Sequence, residues 1–205
     1  MAATLGWLAV KGKDETAVFA ELDLARNGET SPRAKRGFCL TLPSGWFVVV
    51  ARSGSPLLVE DAVLPLSRGC TVVSVQYDAT AYSVATCYEN GAVRWHVEHA
   101  AQADDEIRVL VTSGSLPPGF DVLHARFESE QDLADDDGRD VDCFVALPVE
   151  LAEMVTGFEY DFGAAAYGLP AFDGWKMGEE VIPRAASRRL RRRMARSARP
   201  WWRFW

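Results

Sequence analysis

Alternation of apolar and polar side chains over Cys70 to Ala100 constrains the fold of this chain more than any other feature. Residues two apart in a β-strand share one face, so the alternation predicts strands with one buried and one polar face. The dipeptide Asn90-Gly91 favours a hairpin turn because Asn and Gly take positive φ at little cost. The segment is predicted to form an antiparallel meander with seven mostly buried side chains: Val73, Val75, Tyr77, Val84, Val93, Trp95 and Val97.

A second hairpin and several helices complete the predicted fold. Gly37 to Leu42 and Trp46 to Arg52 are rich in β-type residues and are separated by a Pro-Ser-Gly turn. Apolar residues at helical spacing predict one helix from Phe120 to about Ala134, and another between Pro148 and Gly157. The whole pattern predicts an α+β fold, in which helices pack on one face of a mainly antiparallel sheet.

The chain is expected to divide into three parts. Residues 1–162 form a single α+β domain, within which 26–36 is a polar loop and Cys143 to Ala146 a short strand. Residues 163–183 are rich in Gly, Ala and aromatic side chains without a period, which predicts a loop or linker. Residues 184–205 form a basic tail with nine arginines and no acid.

The charge is distributed unevenly along the sequence. The net charge is −7, from 22 basic and 29 acidic residues. Without the tail, residues 1–183 carry 13 basic and 29 acidic residues, a net charge of −16. A body with this excess of acid is expected to favour basic macromolecular partners.

Acidic residues are most concentrated between Glu128 and Asp142, a segment with eight carboxylates and a single basic residue, Arg139. A calcium loop needs Gly at its sixth position, but counting from Asp132 places Asp137 there. We therefore expect no calcium loop, although a solvated helix end and a looser divalent-metal site remain alternatives to a partner-binding surface. The residues predicted to meet a basic partner are Glu128, Glu130, Asp132, Asp135, Asp136, Asp137 and Asp140.

The histidines give weak candidates for catalysis. On a strand, His96 and Glu98 share a face, so that Glu98 could orient His96 as a general base. His99 would point to the opposite face, so the geometry of a helical His-Glu-x-x-His zinc site is missing. A solvated polar face is the competing interpretation. His124 is the third catalytic candidate, and no metal and no cofactor is predicted.

The cysteines and the absence of targeting signals predict a cytoplasmic protein. Cys39, Cys70, Cys87 and Cys143 are far apart and form no Cys-x-x-Cys pair, which predicts buried, reduced thiols. The apolar N-terminus lacks the preceding charge of a signal peptide, and no apolar run reaches about 20 residues.

The tail combines arginines with aromatic residues, which suits an anionic membrane surface or nucleic acid. Competing interpretations are a disordered tail, a tail folded back on the acidic body and a non-native extension. The residues predicted to bind anions are Arg188, Arg189, Arg191, Arg192, Arg193, Arg196, Trp201 and Trp202.

No motif specific to one reaction is present, since both Gly-x-Ser-x-Gly and Gly-x-Gly-x-x-Gly are missing. The leading hypothesis is a non-enzymatic binding protein of the inhibitor or immunity type that meets a basic partner through its acidic surface. The alternatives are an enzyme with a site around His96 and Glu98, and a membrane-peripheral protein anchored by the tail. The oligomeric state is not predicted.

Overall fold

The computed structural model describes residues 4–78, 82–101 and 108–177. These residues form nine strands and four α-helices. The strands are β1 Thr4–Lys11, β2 Leu24–Ser31, β3 Phe38–Thr41, β4 Trp46–Ala51, β5 Thr71–Asp78, β6 Tyr82–Glu89, β7 Ala92–Ala101, β8 Arg108–Gly114 and β9 Phe172–Met177. The helices are α1 Glu15–Glu21, α2 Glu60–Leu66, α3 Phe120–Asp136 and α4 Leu147–Thr156. Short 3₁₀ helices span Pro56–Leu58, Cys143–Ala146 and Ala164–Tyr167.

All nine strands belong to one antiparallel sheet in the order β2-β9-β3-β4-β1-β5-β6-β7-β8. The α+β fold, the hairpin of β3 and β4, and the meander of β5, β6 and β7 confirm the sequence-based predictions. Among the described residues, no helix is both long and apolar enough to cross a bilayer. The basic tail, 184–205, lies outside the described residues.

Apolar side chains cover both faces of the sheet. On one face, α3 and α4 contribute Phe127 and Leu151 to a core with Trp7 of β1 and Val75 of β5. This is the predicted packing of helices on one face. The short helices α1 and α2 also pack on the opposite face, where Val18 and Val63 meet Leu8, Val10 and Val72. Tyr88 of β6 belongs to the same core, so these helices cover the face beside β1, β5 and part of β6.

A β-bulge in the meander changes the face of one predicted core residue. The pairing of β6 with β7 shifts between Cys87 and Tyr88, so that Cys87 lies opposite Trp95 while Tyr88 lies opposite Val93. Trp95 is buried as predicted, whereas Val93 points to the other face and is 45% exposed. Of the seven predicted core residues, Val93 is exposed and Tyr77 is half-buried.

Three local predictions were wrong for physical reasons that the structure shows. The polar segment after Leu24 forms β2, an edge strand whose exposed residues have no apolar alternation. The expected loop or linker over 163–183 contains β9, which pairs with β2 and β3. Cys143–Ala146 is a 3₁₀ helix because the Asp142 side chain caps it by accepting a hydrogen bond from the Phe144 N–H group.

Candidate functional site

The seven predicted acidic residues lie together on α3 and the loop that follows it. All of them are exposed, and we call them the acidic surface. Phe120, Phe127 and Ala134 recur every seven residues on α3 and are buried, so they hold the helix against the sheet. The acids therefore occupy the faces of α3 that point away from the core.

Basic side chains near the acidic surface are already paired. Arg126 contacts Glu130 at 3.5 Å and Glu150 of α4, and Arg139 contacts Asp137 at 3.4 Å. Exposed pairs of this kind contribute about 0–1 kcal/mol each, and salt weakens them. The described Arg ion pairs on this surface thus engage Glu130 and Asp137.

Apolar side chains are interspersed with these carboxylates. Val122 is 77% exposed, Leu133 is 59% exposed, and Val141 is 42% exposed. Protein interfaces commonly place an apolar contact inside a polar rim. The acidic surface therefore offers both long-range charge and local apolar contact.

A second candidate site lies on the opposite face of the sheet, on β6 and β7. The Nε2 atom of His96 lies 3.2 Å from Oε2 of Glu98, and its Nδ1 atom lies 2.8 Å from Oγ1 of Thr86. Thr86, His96 and Glu98 are thus joined by two hydrogen bonds, of which the sequence predicted only the contact of His96 with Glu98.

Thr86 and His96 line a groove of about 490 Å³ on the face of the sheet opposite α3. The start of α2 and the preceding 3₁₀ helix form one wall, at Leu58 and Glu60. Seven polar residues from four strands also line it: Ser74, Gln76, Tyr82, Thr86, Tyr88, His96 and Ser113. We call this concavity the sheet groove.

Two tyrosines of the sheet groove have raised pKa values. Burial, followed by the negative charges of Glu98 and of Tyr88, raises the pKa of Tyr82 to about 12. Burial and the charge of Glu60 also raise the pKa of Tyr88. Both phenols therefore stay neutral hydrogen-bonding groups at physiological pH.

The remaining histidines lie on the other face of the sheet. His124 is on α3, where its ring packs against Phe120 and Phe144 and its Nδ1 lies 3.5 Å from Glu128. The structure thus does not bring His124 to His96. His99 is fully buried, with Nε2 2.7 Å from Asp142 Oδ2, a contact that the sequence-based reasoning missed.

The groove residues Tyr82, Thr86 and Tyr88 were also missed as site residues. Their spacing places them on one face of β6, which is the signal that could have connected them with His96. Among residues 4–78, 82–101 and 108–177, no group of three or more His, Cys, Asp or Glu side chains is arranged to hold a metal ion.

Comparison with known proteins gives no match: no family model, no curated protein and no solved structure is similar to this chain.

Proposed function

We propose that the protein is a non-enzymatic binding protein that captures a basic macromolecule through the acidic surface, as an inhibitor-type or immunity-type protein would. The observation that carries the proposal is the exposure of all seven predicted acidic residues on α3 and its adjoining loop. Complementary charge accelerates association and selects the partner. A cytoplasmic location is part of this proposal.

Charge and apolar contact have separate roles in this proposal. Asp132 and Asp136 lie on the outer side of α3 near Leu133, and the loop residue Asp140 extends the same negative region. The carboxylates would steer a basic partner toward the helix, while Leu133 and Val122 would be buried once it docks. Such binding should weaken as salt rises, because screening acts on the steering charges.

The test removes three carboxylates without enlarging or shrinking the side chains. Asp132→Asn, Asp136→Asn and Asp140→Asn are combined in one variant, which is used as bait in a pull-down from the cell of origin. The matched control, Glu29→Gln with Glu89→Gln and Asp161→Asn, removes three charges elsewhere. Support requires a captured protein that is basic, is retained by the control and is lost from the triple-Asn bait. Equal capture by both variants would contradict the proposal.

A second candidate is an enzyme that uses His96 as a general base. The specific observation is that His96 contacts both a carboxylate, at 3.2 Å, and the Thr86 hydroxyl, at 2.8 Å. This arrangement is typical of a base that activates a hydroxyl nucleophile. However, Thr86 is buried on β6, which pairs with β5 on one side and β7 on the other. Hydrolysis of p-nitrophenyl acetate at equal rates by the native protein and His96→Asn would contradict this candidate.

A further inference from the structure

The strand β8 forms one edge of the sheet and is regular along its whole length. It spans Arg108–Gly114 and pairs with β7 without a register shift. In an antiparallel sheet, alternate residues of an edge strand direct their N–H and C=O groups away from the neighbouring strand. No described strand pairs with this outer side of β8. The edge therefore offers a row of backbone donors and acceptors to a further strand.

The side chains along β8 leave this edge accessible. Successive side chains of a strand point to opposite faces of the sheet, and both Val111, which is 47% exposed, and Thr112 are exposed. No described element therefore covers the middle of β8 on either face. The strand has a single charged residue, Arg108 at its first position, and it contains no Pro and no Lys. An exposed, regular and nearly uncharged edge of this kind favours pairing with another strand.

The opposite edge of the sheet, β2, lacks these properties. Its pairing with β9 shifts register between Arg26 and Thr30, and Gly28 between them has a φ of 80°. The Arg26 side chain also forms ion pairs with Glu15 and Asp173. Irregular backbone and charged side chains are the usual features that keep an edge strand from pairing. Pairing between copies of this chain is therefore expected at β8 and not at β2.

We propose that β8 pairs antiparallel with β8 of a second copy of this chain, so that the two sheets join into one across a two-fold axis. Two identical edges form a closed dimer, whereas pairing of unlike edges would continue into a filament. With the axis at Val111, the middle residue of the strand, each Val111 lies opposite its counterpart, and Leu110 of one copy lies opposite Thr112 of the other. Arg108 lies opposite Gly114, so no like charges meet along the strands.

Net charge opposes this association and makes it depend on salt. Each copy carries a net charge of −7, so two copies repel each other, and salt screens the repulsion. The dimer should therefore become more stable as salt rises. Capture of a basic partner by the acidic surface should weaken under the same change. The dimer and the proposed function can thus be tested separately, because they respond to salt in opposite directions.

The experiment measures the mass of the full-length protein by sedimentation equilibrium. Protein concentrations from about 5 µM to about 500 µM cover the affinities expected of a single pair of strands. Each concentration is examined in about 0.05 M and about 0.5 M sodium chloride. We expect a monomer–dimer equilibrium that shifts toward the dimer at the higher salt concentration. A monomer at every concentration in both salts would overturn the proposal.

Variants and amide hydrogen exchange then test whether β8 is the contact. Val111→Lys places two ammonium groups opposite each other at the axis and should weaken dimerisation about tenfold. Thr30→Lys, which adds the same charge at an exposed position of β2, is the matched control and should dimerise like the native protein. Alternate amides of β8 should exchange more slowly at high protein concentration. Equal dimerisation of the two folded variants, or a dimer without this slower exchange in β8, would show that the copies do not pair there.

Discussion

Ser83 and His99 lie directly opposite each other on β6 and β7, and each buries a polar atom that has no hydrogen-bond partner among the described residues. The atoms are Ser83 Oγ and His99 Nδ1, and both side chains are fully buried. Burial of a hydroxyl without a partner costs about 1–3 kcal/mol. The meander therefore contains a polar pair that reduces its stability.

The first prediction follows from this pair. Ser83→Ala removes a buried hydroxyl that makes no hydrogen bond among the described residues, so we expect the free energy of unfolding to rise by about 1 kcal/mol. Ser67→Ala is the matched control, because Ser67 is equally buried but donates to Leu64 O at 2.8 Å and accepts from Gly91 N at 3.1 Å. That variant should lose stability. Urea unfolding of both variants checks the prediction, and a loss of stability in Ser83→Ala would contradict it.

The second prediction concerns two residues on β7 that are two positions apart. Trp95 is 2% exposed in the core beneath α3 and α4, so Trp95→Ala should cost about 3–5 kcal/mol of the free energy of unfolding. The bulge turns Val93 to the sheet groove, so Val93→Ala should cost less than about 1 kcal/mol. Thermal and urea unfolding of each variant measure the two losses of stability. Similar costs for the two variants would mean that the bulge is absent in solution.

The same bulge shows how far the sequence alone could predict the fold and the site. Alternation identifies the strands, and Asn90-Gly91 identifies the turn, because both signals are local. Uninterrupted pairing outward from that turn would place Thr86 opposite Trp95, whereas the bulge places Thr86 opposite His96. The contact of His96 with Glu98 was predictable from spacing along one strand. The contact with Thr86 depends on a register that one extra residue changes.

Edge strands and long-range pairing limited the rest of the prediction. β2 lies at the edge of the sheet and exposes residues on both faces, so its sequence lacks the alternation that marks a strand. β9 reaches its place between β2 and β3 from the far end of the described chain, with Trp175 Nε1 donating to Phe38 O at 3.1 Å. No local pattern encodes such a pairing.

The third prediction concerns the reactivity of the four thiols. Burial raises the pKa of Cys39 to about 12 and that of Cys87 to about 11, and it also raises the pKa of Cys70. Cys143 is only half-buried, in the 3₁₀ helix that follows Asp142. Because the thiolate is the reactive species, iodoacetamide should modify Cys143 first in the folded protein.

Mass spectrometry of the modified protein identifies the labelled cysteine, and Cys143→Ser should remove the fast phase of labelling. In urea all four thiols should react at similar rates, since burial no longer protects them. Labelling of Cys39 or Cys87 at the rate of Cys143 in the folded protein would show that these thiols are not held inside the sheet.

The last prediction concerns Glu153 of α4, whose carboxyl group is half-buried near other acids. Burial first, and then the negative charge of Glu159, raises its pKa from 4.5 to about 7. The folded state therefore holds this proton more tightly than the unfolded state. The stabilising contribution is complete below about pH 4.5 and is lost as the pH rises through about 7. We expect Glu153→Gln, which mimics the protonated carboxyl group, to be more stable than the native protein above pH 7 and equally stable below pH 4.5.

Urea unfolding at intervals between about pH 4 and about pH 8 measures this difference in stability. Glu29→Gln, at an exposed position, is the control whose stability relative to the native protein should show no such pH dependence. A constant difference between Glu153→Gln and the native protein across this range would contradict the raised pKa.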